Sequence, residues 1–190
     1  MVTEPREALA AGDVVLVIDA QNDFCPGGAL PIQNGDTVVP VLNSWIAAAV
    51  ARDVPVYASR DWHPLCHPSF EENGGPWPPH CLQDSHGSGF HPELDLPDSA
   101  VIVSKGVRFD KDQNSAFDQT GLASHLRTRS ITRLWVGGLA EDVCVLATVM
   151  DARREGFAVV VIDGGARPLT PEGGRRARAA MREAGADVPH

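Results

Sequence analysis

Apolar residues in this sequence fall into short continuous runs that alternate with longer stretches of helical periodicity. Runs of this form stand at residues 14–18, 54–58, 100–103, 134–136 and 158–162. A short continuous apolar run is typical of a strand that is covered on both faces in a parallel sheet. We therefore predict five main strands, and residues 186–188 are a candidate for a further short strand at the sheet edge.

Between these runs, apolar residues recur at helical spacing. The clearest case lies at residues 36–52, where one face would carry Val38, Val41, Leu42, Trp45, Ile46 and Ala49. Further helices are predicted at residues 115–128, from Cys144 to Gly156, and from Thr170-Pro171 onward. Because strands alternate with helices, the pattern predicts an α/β fold, with three α/β/α layers and a mainly parallel, doubly wound sheet. Residues 1–190 are expected to form this single domain.

Three chemically reactive side chains are predicted at one edge of that sheet. Asp19 follows the first apolar run, Lys105 follows the third, and Cys144 follows the fourth after a glycine-containing turn. Ligands of such sheets bind outside the carboxyl ends of the strands, so these side chains are expected to meet there. Asp19 could accept the thiol proton, Lys105 could favour the thiolate, and Cys144 could attack a carbonyl carbon.

The position of Cys144 sharpens this hypothesis, because a helix is predicted to begin there. Free amide groups at a helix N-terminus would lower the thiol pKa and could also hold a developing oxyanion. The alternative for Cys144 is a buried structural cysteine. Taken singly, an aspartate at a strand end is more often a cap, and a lysine there is more often a solvated charge.

A second group of possible ligands lies in the long irregular segment between the second and third strands, which holds five of the seven histidines. In Asp61-Trp-His63 an extended backbone puts both ligand side chains on one face, and His80 could complete half of a coordination sphere. Such donors suit zinc, manganese or iron. The alternative is a set of surface histidines in a proline-rich loop. His67 and Cys66 could join a metal or only line the loop.

Composition narrows the classes of function. With 43% hydrophobic and 22% charged residues, the chain has the make-up of an ordinary globular protein. Its formal net charge of −9 argues against nucleic acid or an anionic membrane as a partner, and favours a small neutral or cationic substrate. The apolar runs are too short for a signal or a membrane span, which predicts a cytoplasmic protein. Its four cysteines are then expected to be reduced thiols.

Several motifs together resemble a known family. In chain order they are Asp19-Ala-Gln-Asn-Asp-Phe24, Asp61-Trp-His63-Pro, Trp77-Pro-Pro-His80-Cys81, Phe90-His-Pro, Lys105-Gly106, Ser115-Ala-Phe117 and Gly138-Leu-Ala-Glu-Asp-Val-Cys144-Val. With these motifs the chain resembles the nicotinamidases (pyrazinamidases) of the isochorismatase-like cysteine hydrolase family. The resemblance extends over residues 13–165, and the metal-ligand motifs are the part that separates nicotinamidases from metal-free relatives.

The resemblance implies hydrolysis of nicotinamide to nicotinate and ammonia through a cysteine thioester, as in NAD salvage, with pyrazinamide as a second substrate. It implies one divalent metal ion, expected to be zinc, with manganese and iron as alternatives. It also implies a cis peptide bond between Leu139 and Ala140, and it allows for a homo-oligomer. The implied site residues are Asp19, Lys105 and Cys144 for catalysis; Ala140 and Cys144 for the oxyanion hole; Asp61, His63 and His80 for the metal; and Phe24, Leu30, Trp77 and Leu139 for the substrate.

Two positions depart from the family pattern. Asn114 stands where the family usually has a pocket tyrosine, and Asp84-Ser-His-Gly87 stands in place of a Gly-Thr-x-Gly turn. Both bear on the ring pocket and on substrate preference, and neither touches the triad. The alternative functions are another amidase of the same fold, of the N-carbamoylsarcosine or ureidoacrylate type, an isochorismatase, or a non-catalytic metal-binding or thiol-sensing protein.

Overall fold

The computed structural model of the protein describes residues 5–189, and a parallel sheet lies at its centre. The strands are β1 (Asp13–Ile18), β2 (Val56–Asp61), β3 (Val101–Lys105), β4 (Arg133–Leu139) and β5 (Ala158–Arg167). They lie side by side in the order β3-β2-β1-β4-β5, and each neighbouring pair is parallel. The α/β fold with a doubly wound parallel sheet is therefore confirmed.

Helices cover both faces of this sheet. They are α1 (Pro5–Ala8), α2 (Val38–Val50), α3 (Leu122–Thr128), α4 (Leu146–Arg154) and α5 (Pro171–Glu183). Within residues 5–189, none of them is long and apolar enough to cross a membrane.

Alternate residues of β1 point to opposite sides of the sheet and belong to two separate cores. Val15 and Val17 pack in the core that contains α2. Val14, Leu16 and Ile18 pack in the other core, with apolar residues of α3, α4 and α5. Because β1 is buried on both faces, its sequence is apolar throughout, which is why the continuous run predicted it well.

The helix predicted at residues 115–128 is shorter in the structure. α3 begins only at Leu122, after Gly121, whose φ of 78° lies in the left-handed region and interrupts a helix. Just before it, Thr120 Oγ1 donates a hydrogen bond to the carbonyl oxygen of Ala116 and accepts one from the Leu122 N–H. Such local bonds between a hydroxyl and the backbone compete with helix formation.

The ends of several strands also differ from the prediction. β2 and β3 extend further toward their carboxyl ends, so that Asp61 and Lys105 are the last residues of ordered strands. The short strand predicted at residues 186–188 is reduced to a single bridge between Val160 and Asp187.

The strand order creates a crevice between β1 and β4. From β1 the chain proceeds to β2 and β3 on one side, and then returns to β4 and β5 on the other, so the carboxyl ends of β1 and β4 form the switch point where such sheets bind ligands. Gly138 permits the close approach of these two strands, since a Cβ atom there would lie 1.9 Å from the carbonyl oxygen of Ile18.

Candidate active site

The side chains of Asp19, Lys105 and Cys144 meet at the carboxyl edge of the sheet. Lys105 Nζ lies 2.7 Å from Asp19 Oδ2 and 3.4 Å from Cys144 Sγ. A carboxylate oxygen of Asp19 and the sulfur of Cys144 lie within 4.8 Å of each other. All three side chains are buried. The three residues that the sequence predicted as a triad therefore form one contact group.

Asp19 is held in place by Ser59, which the sequence analysis did not single out. Ser59 Oγ donates a hydrogen bond of 2.7 Å to Asp19 Oδ1, and the Asp19 N–H donates to the Ser59 carbonyl oxygen. The other oxygen, Asp19 Oδ2, accepts no hydrogen bond from a hydroxyl or a backbone N–H in the described part of the chain, and it lies in ion-pair contact with the Lys105 ammonium. It would be the oxygen that receives the proton of the thiol. Ser59 precedes Asp61 by two residues on β2, so both face the same side, and this spacing was the available signal.

Burial governs the protonation states in this group. It raises the pKa of the Asp19 carboxyl and, strongly, that of the Cys144 thiol, while the Lys105 ammonium opposes both shifts. For Lys105, burial alone would lower the pKa, but the nearby carboxylates of Asp19 and Asp61 raise it well above its usual range. Lys105 is therefore charged and Cys144 is a protonated thiol at rest. The prediction that its position lowers the thiol pKa is wrong, and the nucleophile needs a base.

The backbone around Cys144 also differs from the prediction that a helix begins there. Cys144 lies inside a π-helical turn, Glu141–Val145, and α4 begins at Leu146. The N–H groups of Val143 and Val145 both donate to the carbonyl oxygen of Ala140. Single π-helical turns of this kind are frequent at functional sites.

The peptide bond that leads into this turn, between Leu139 and Ala140, is cis, as the family resemblance predicted. Ala140 and Cys144, the two residues expected to form the oxyanion hole, line the same pocket.

The three expected metal ligands converge beside the thiol. One ligand atom from each of Asp61, His63 and His80 lies within 4.8 Å of the other two. Asp61 Oδ2 is 3.6 Å from His63 Nε2, while its Oδ1 accepts a hydrogen bond of 2.6 Å from Lys105 Nζ. Asp61 thus belongs to both groups of residues. Although burial opposes the shift, Lys105 and His63 hold the pKa of the Asp61 carboxyl well below its usual range.

Both histidines present their ε nitrogens toward this cluster. His63 Nδ1 lies 2.9 Å from the carbonyl oxygen of Gly106, and His80 Nδ1 lies 2.8 Å from that of Pro78. A carbonyl at Nδ1 fixes the ring orientation and leaves the Nε2 lone pair available to a metal. Gly106 is needed here, because its φ is 69° and a Cβ atom would lie 2.4 Å from His63 Cε1.

His67 lies against the same cluster, whereas Cys66 is exposed. The His67 ring is fully buried, with its centroid 4.2 Å from that of His63 and its Nδ1 2.7 Å from Ser69 Oγ. Its Nε2 has no hydrogen-bond partner within residues 5–189. Burial, followed by the charge of His63, lowers the pKa of His67 to about 4, so its ring is neutral. His67 is therefore a candidate for a further ligand, whereas Cys66 belongs to no group of converging ligand atoms in the described part of the chain.

The thiol and the metal-ligand cluster open into one pocket. The lining residues are Phe24, Leu30, Ile32, Asp61, Trp77, His80, Asp112, Asn114, Ala140, Val143, Cys144 and Leu169. Three of the four residues expected at the substrate are among them. The exception is Leu139, whose fully buried side chain packs in the core near Gly35, so the prediction that it contacts the substrate is corrected.

Comparison with known proteins gives the family. Residues 13–189 match the isochorismatase domain family, which is nearly the whole chain. The chain belongs to the isochorismatase family. This match confirms the isochorismatase-like family that the sequence motifs resemble.

Relatives of this isochorismatase-family chain include several nicotinamidases. The nicotinamidase of Escherichia coli is 38% identical over 197 residues, which cover 92% of each chain. The crystal structure of a Pyrococcus horikoshii pyrazinamidase in complex with zinc has a TM-score of 0.91 and 40% identity, over 94% of this chain and 99% of that one. The structure of PnC1 from L. infantum in complex with nicotinate has a TM-score of 0.85 and 35% identity, over 93% and 91% of the two chains.

Some site residues of this family member were not found by sequence reasoning. Gln21 is fully buried, and its side-chain amide donates to the carbonyl oxygens of Asp61 and Ser88 while accepting from the Asp61 N–H. It therefore fixes the backbone of a predicted metal ligand. A polar residue three positions after the end of a buried strand was the available signal. Asp112, which lines the pocket, lies in an irregular segment whose course the sequence does not reveal.

Proposed function

We propose that this protein hydrolyses nicotinamide to nicotinate and ammonia, accepts pyrazinamide as well, and depends on a divalent metal ion. One observation carries the proposal: a buried thiol with its carboxylate and ammonium opens into the same pocket as an Asp-His-His cluster. Aromatic and apolar side chains that line this pocket, among them Phe24 and Trp77, suit a flat heteroaromatic ring. The similarity to nicotinamidases and pyrazinamidases supports the same substrate class.

In the first half of the reaction, Asp19 Oδ2 takes the proton of the Cys144 thiol and the sulfur attacks the carboxamide carbon. The N–H groups of Ala140 and Cys144 hold the oxyanion of the tetrahedral intermediate. Protonated Asp19 then passes its proton to the amide nitrogen, the C–N bond breaks, and ammonia leaves a thioester on Cys144. Lys105 stabilises the negative charge as it moves between Asp19 and the sulfur.

In the second half, water attacks the thioester carbon and gives a proton to Asp19. The same oxyanion hole holds the second tetrahedral intermediate, and the C–S bond breaks to release nicotinic acid, which loses its carboxyl proton to solvent as nicotinate. The proton on Asp19 returns to the sulfur. The raised pKa of the Asp19 carboxyl suits a group that both accepts and returns protons.

Asp61, His63 and His80 would hold the metal ion. Their donor set fits, because both rings offer Nε2 with Nδ1 fixed on a carbonyl oxygen, and burial lowers the pKa of His80 so that it is a neutral ligand. The unpaired Nε2 of His67 offers a further nitrogen donor. When bound, the ion supplies a Lewis-acid site for the pyridine nitrogen, which would orient the carboxamide toward Cys144. We expect zinc, with manganese and iron as alternatives.

The test is ammonia release from nicotinamide by the purified protein, measured after metal removal and after addition of zinc, manganese or iron. We expect activity that returns with metal. Cys144→Ala should abolish ammonia release while nicotinamide still binds in calorimetry, and Cys66→Ala, at an exposed thiol, is the matched control. Absence of ammonia release with every metal would contradict the proposal.

The rival functions are less well supported. A metal-free amidase would have no use for the Asp-His-His cluster, and full activity after metal removal would favour such a relative. A non-catalytic thiol sensor would need an accessible, ionised cysteine, whereas burial raises the pKa of Cys144. A cytoplasmic location and self-association of the chain stay predictions of the sequence.

A further inference from the structure

Asn114 presents a side-chain amide to the nucleophile from the pocket wall. Its Oδ1 lies 4.0 Å from Cys144 Sγ, and its side chain is half-buried and lines the pocket. Within residues 5–189, the side chain has no hydrogen-bond contact other than this one with the thiol. An amide that is free of structural partners and faces a reactive atom is available to a ligand.

The neighbours of Asn114 hold its backbone firmly. Gln113, which is buried, accepts a hydrogen bond from the Val107 N–H and donates to the carbonyl oxygen of Asp118. On the other side, the Ala116 N–H donates a hydrogen bond of 3.0 Å to Thr148 Oγ1. Thr148 is a buried residue of α4 and lies four residues after Cys144 in the chain. The segment that carries Asn114 is therefore tied to α4, which directly follows the turn that contains Cys144, so the position of Asn114 relative to Sγ is preorganised.

We propose that Asn114 Oδ1 accepts a hydrogen bond from the carboxamide N–H of the substrate, and so makes the enzyme prefer primary amides over esters. This inference rests on the proposed function. Once the carboxamide carbon lies against Sγ, its oxygen faces the N–H groups of Ala140 and Cys144, and its nitrogen needs acceptors. Carboxylate oxygens of Asp19 and Asp61 also lie near the sulfur, but both carboxylates are paired with the Lys105 ammonium. Asn114 Oδ1 is therefore the acceptor that remains for an N–H group of the primary amide.

Asn114 is thus a substrate-positioning residue that selects the amide rotamer in which the carbonyl oxygen points toward the oxyanion hole. An ester of the same ring has no N–H to offer, so it cannot use this contact. Loss of this contact should therefore lower kcat/KM for the amide more than for an ester of the same ring, and should not lower both values equally.

The experiment compares kcat/KM for nicotinamide and for methyl nicotinate in the metal-loaded wild-type enzyme, in Asn114→Leu and in Asn114→Asp. Leucine has a similar shape and no acceptor, and we expect it to lower the amide-to-ester ratio by roughly 3- to 10-fold, the worth of one neutral hydrogen bond. Aspartate keeps an acceptor oxygen and should keep the ratio. Asn114→Ala serves as a second truncation if the leucine variant does not fold.

An equal loss on amide and ester in Asn114→Leu and Asn114→Ala would overturn the inference, since it would assign Asn114 a general role in shape or in oxyanion binding. If wild-type enzyme releases no ammonia from nicotinamide with any metal, the proposed function fails, and this inference fails with it. The wild-type control therefore separates the two failures.

Discussion

Lys105 and Asp61 form a buried ion pair, with Nζ 2.6 Å from Oδ1, that joins the nucleophile group to the metal-ligand cluster. The two residues are direct register partners at the carboxyl ends of β2 and β3, so their side chains point to the same side. The same ammonium lies 2.7 Å from Asp19. One buried cation is therefore shared between the carboxylate that would act as base and a carboxylate that would bind the metal, and the two halves of the site form one electrostatic unit.

The first prediction concerns this shared cation. Lys105→Met leaves the carboxylates of Asp19 and Asp61 buried without their charged partner, and we expect the free energy of unfolding to fall by about 3–5 kcal/mol. Urea denaturation of the metal-free protein measures it, and activity should also be lost. Lys111→Met, at a half-exposed side chain, should change stability by less than about 1 kcal/mol. Equal stabilities of the two variants would contradict a structural role for the ion pair.

The second prediction separates thiol ionisation from catalysis. Asp19→Asn removes a carboxylate whose charge raises the pKa of the Cys144 thiol and leaves Lys105 beside the sulfur. We expect the pH profile of Cys144 alkylation to move to lower pH, while ammonia release falls by about 10²- to 10⁴-fold because the proton acceptor is gone. Iodoacetamide labelling followed by mass spectrometry measures the first effect. Turnover close to wild type would show that Asp19 is not the base.

The third prediction concerns the metal ligands. His80→Ala removes one of three converging donors, and we expect the bound metal per chain, measured by atomic emission after dialysis, to fall well below the wild-type value. The wild-type melting temperature should rise with added zinc, and the variant should lose this rise. His86→Ala, at an exposed histidine of the same segment, should behave like wild type. Equal metal content in both variants would remove His80 from the ligand set.

The fourth prediction concerns acid stability far from the site. Asp13 is buried and accepts hydrogen bonds from Arg133 Nε and Nη2, Trp135 Nε1 and the Ala10 N–H. Although burial opposes the shift, these contacts hold the pKa of the Asp13 carboxyl below its usual value. A carboxyl of this kind contributes stability that is fully present above its unfolded-state pKa of about 4 and is lost as pH falls through its folded-state pKa.

Asp13→Asn should therefore lower the free energy of unfolding by about 1–3 kcal/mol at neutral pH. Its difference from wild type should shrink as the pH is lowered below about 4. Denaturant titrations at several pH values measure both quantities. Asp163→Asn, at an exposed aspartate, serves as the control, and a difference for Asp13→Asn that stays constant across this range would contradict the assignment.

Sequence reasoning succeeded where a local pattern decides the structure. β1 is apolar throughout because both of its faces are buried, and α2 follows its apolar spacing closely. It failed at residues 115–121, where Gly121 and the hydroxyl of Thr120 interrupt a helical pattern. It also failed for Leu139, since a motif position does not reveal whether a side chain faces the pocket or the core.

Local spacing and motifs suffice to predict the layers of the fold, the family, and the reactive residue types at the strand ends. Three relations follow only from the folded arrangement of the chain: Lys105 pairs with both Asp19 and Asp61, the Cys144 thiol is buried with a raised pKa, and Asn114 faces this thiol. Such relations depend on strand register, burial and distances between residues far apart in the chain, and no local pattern encodes these quantities.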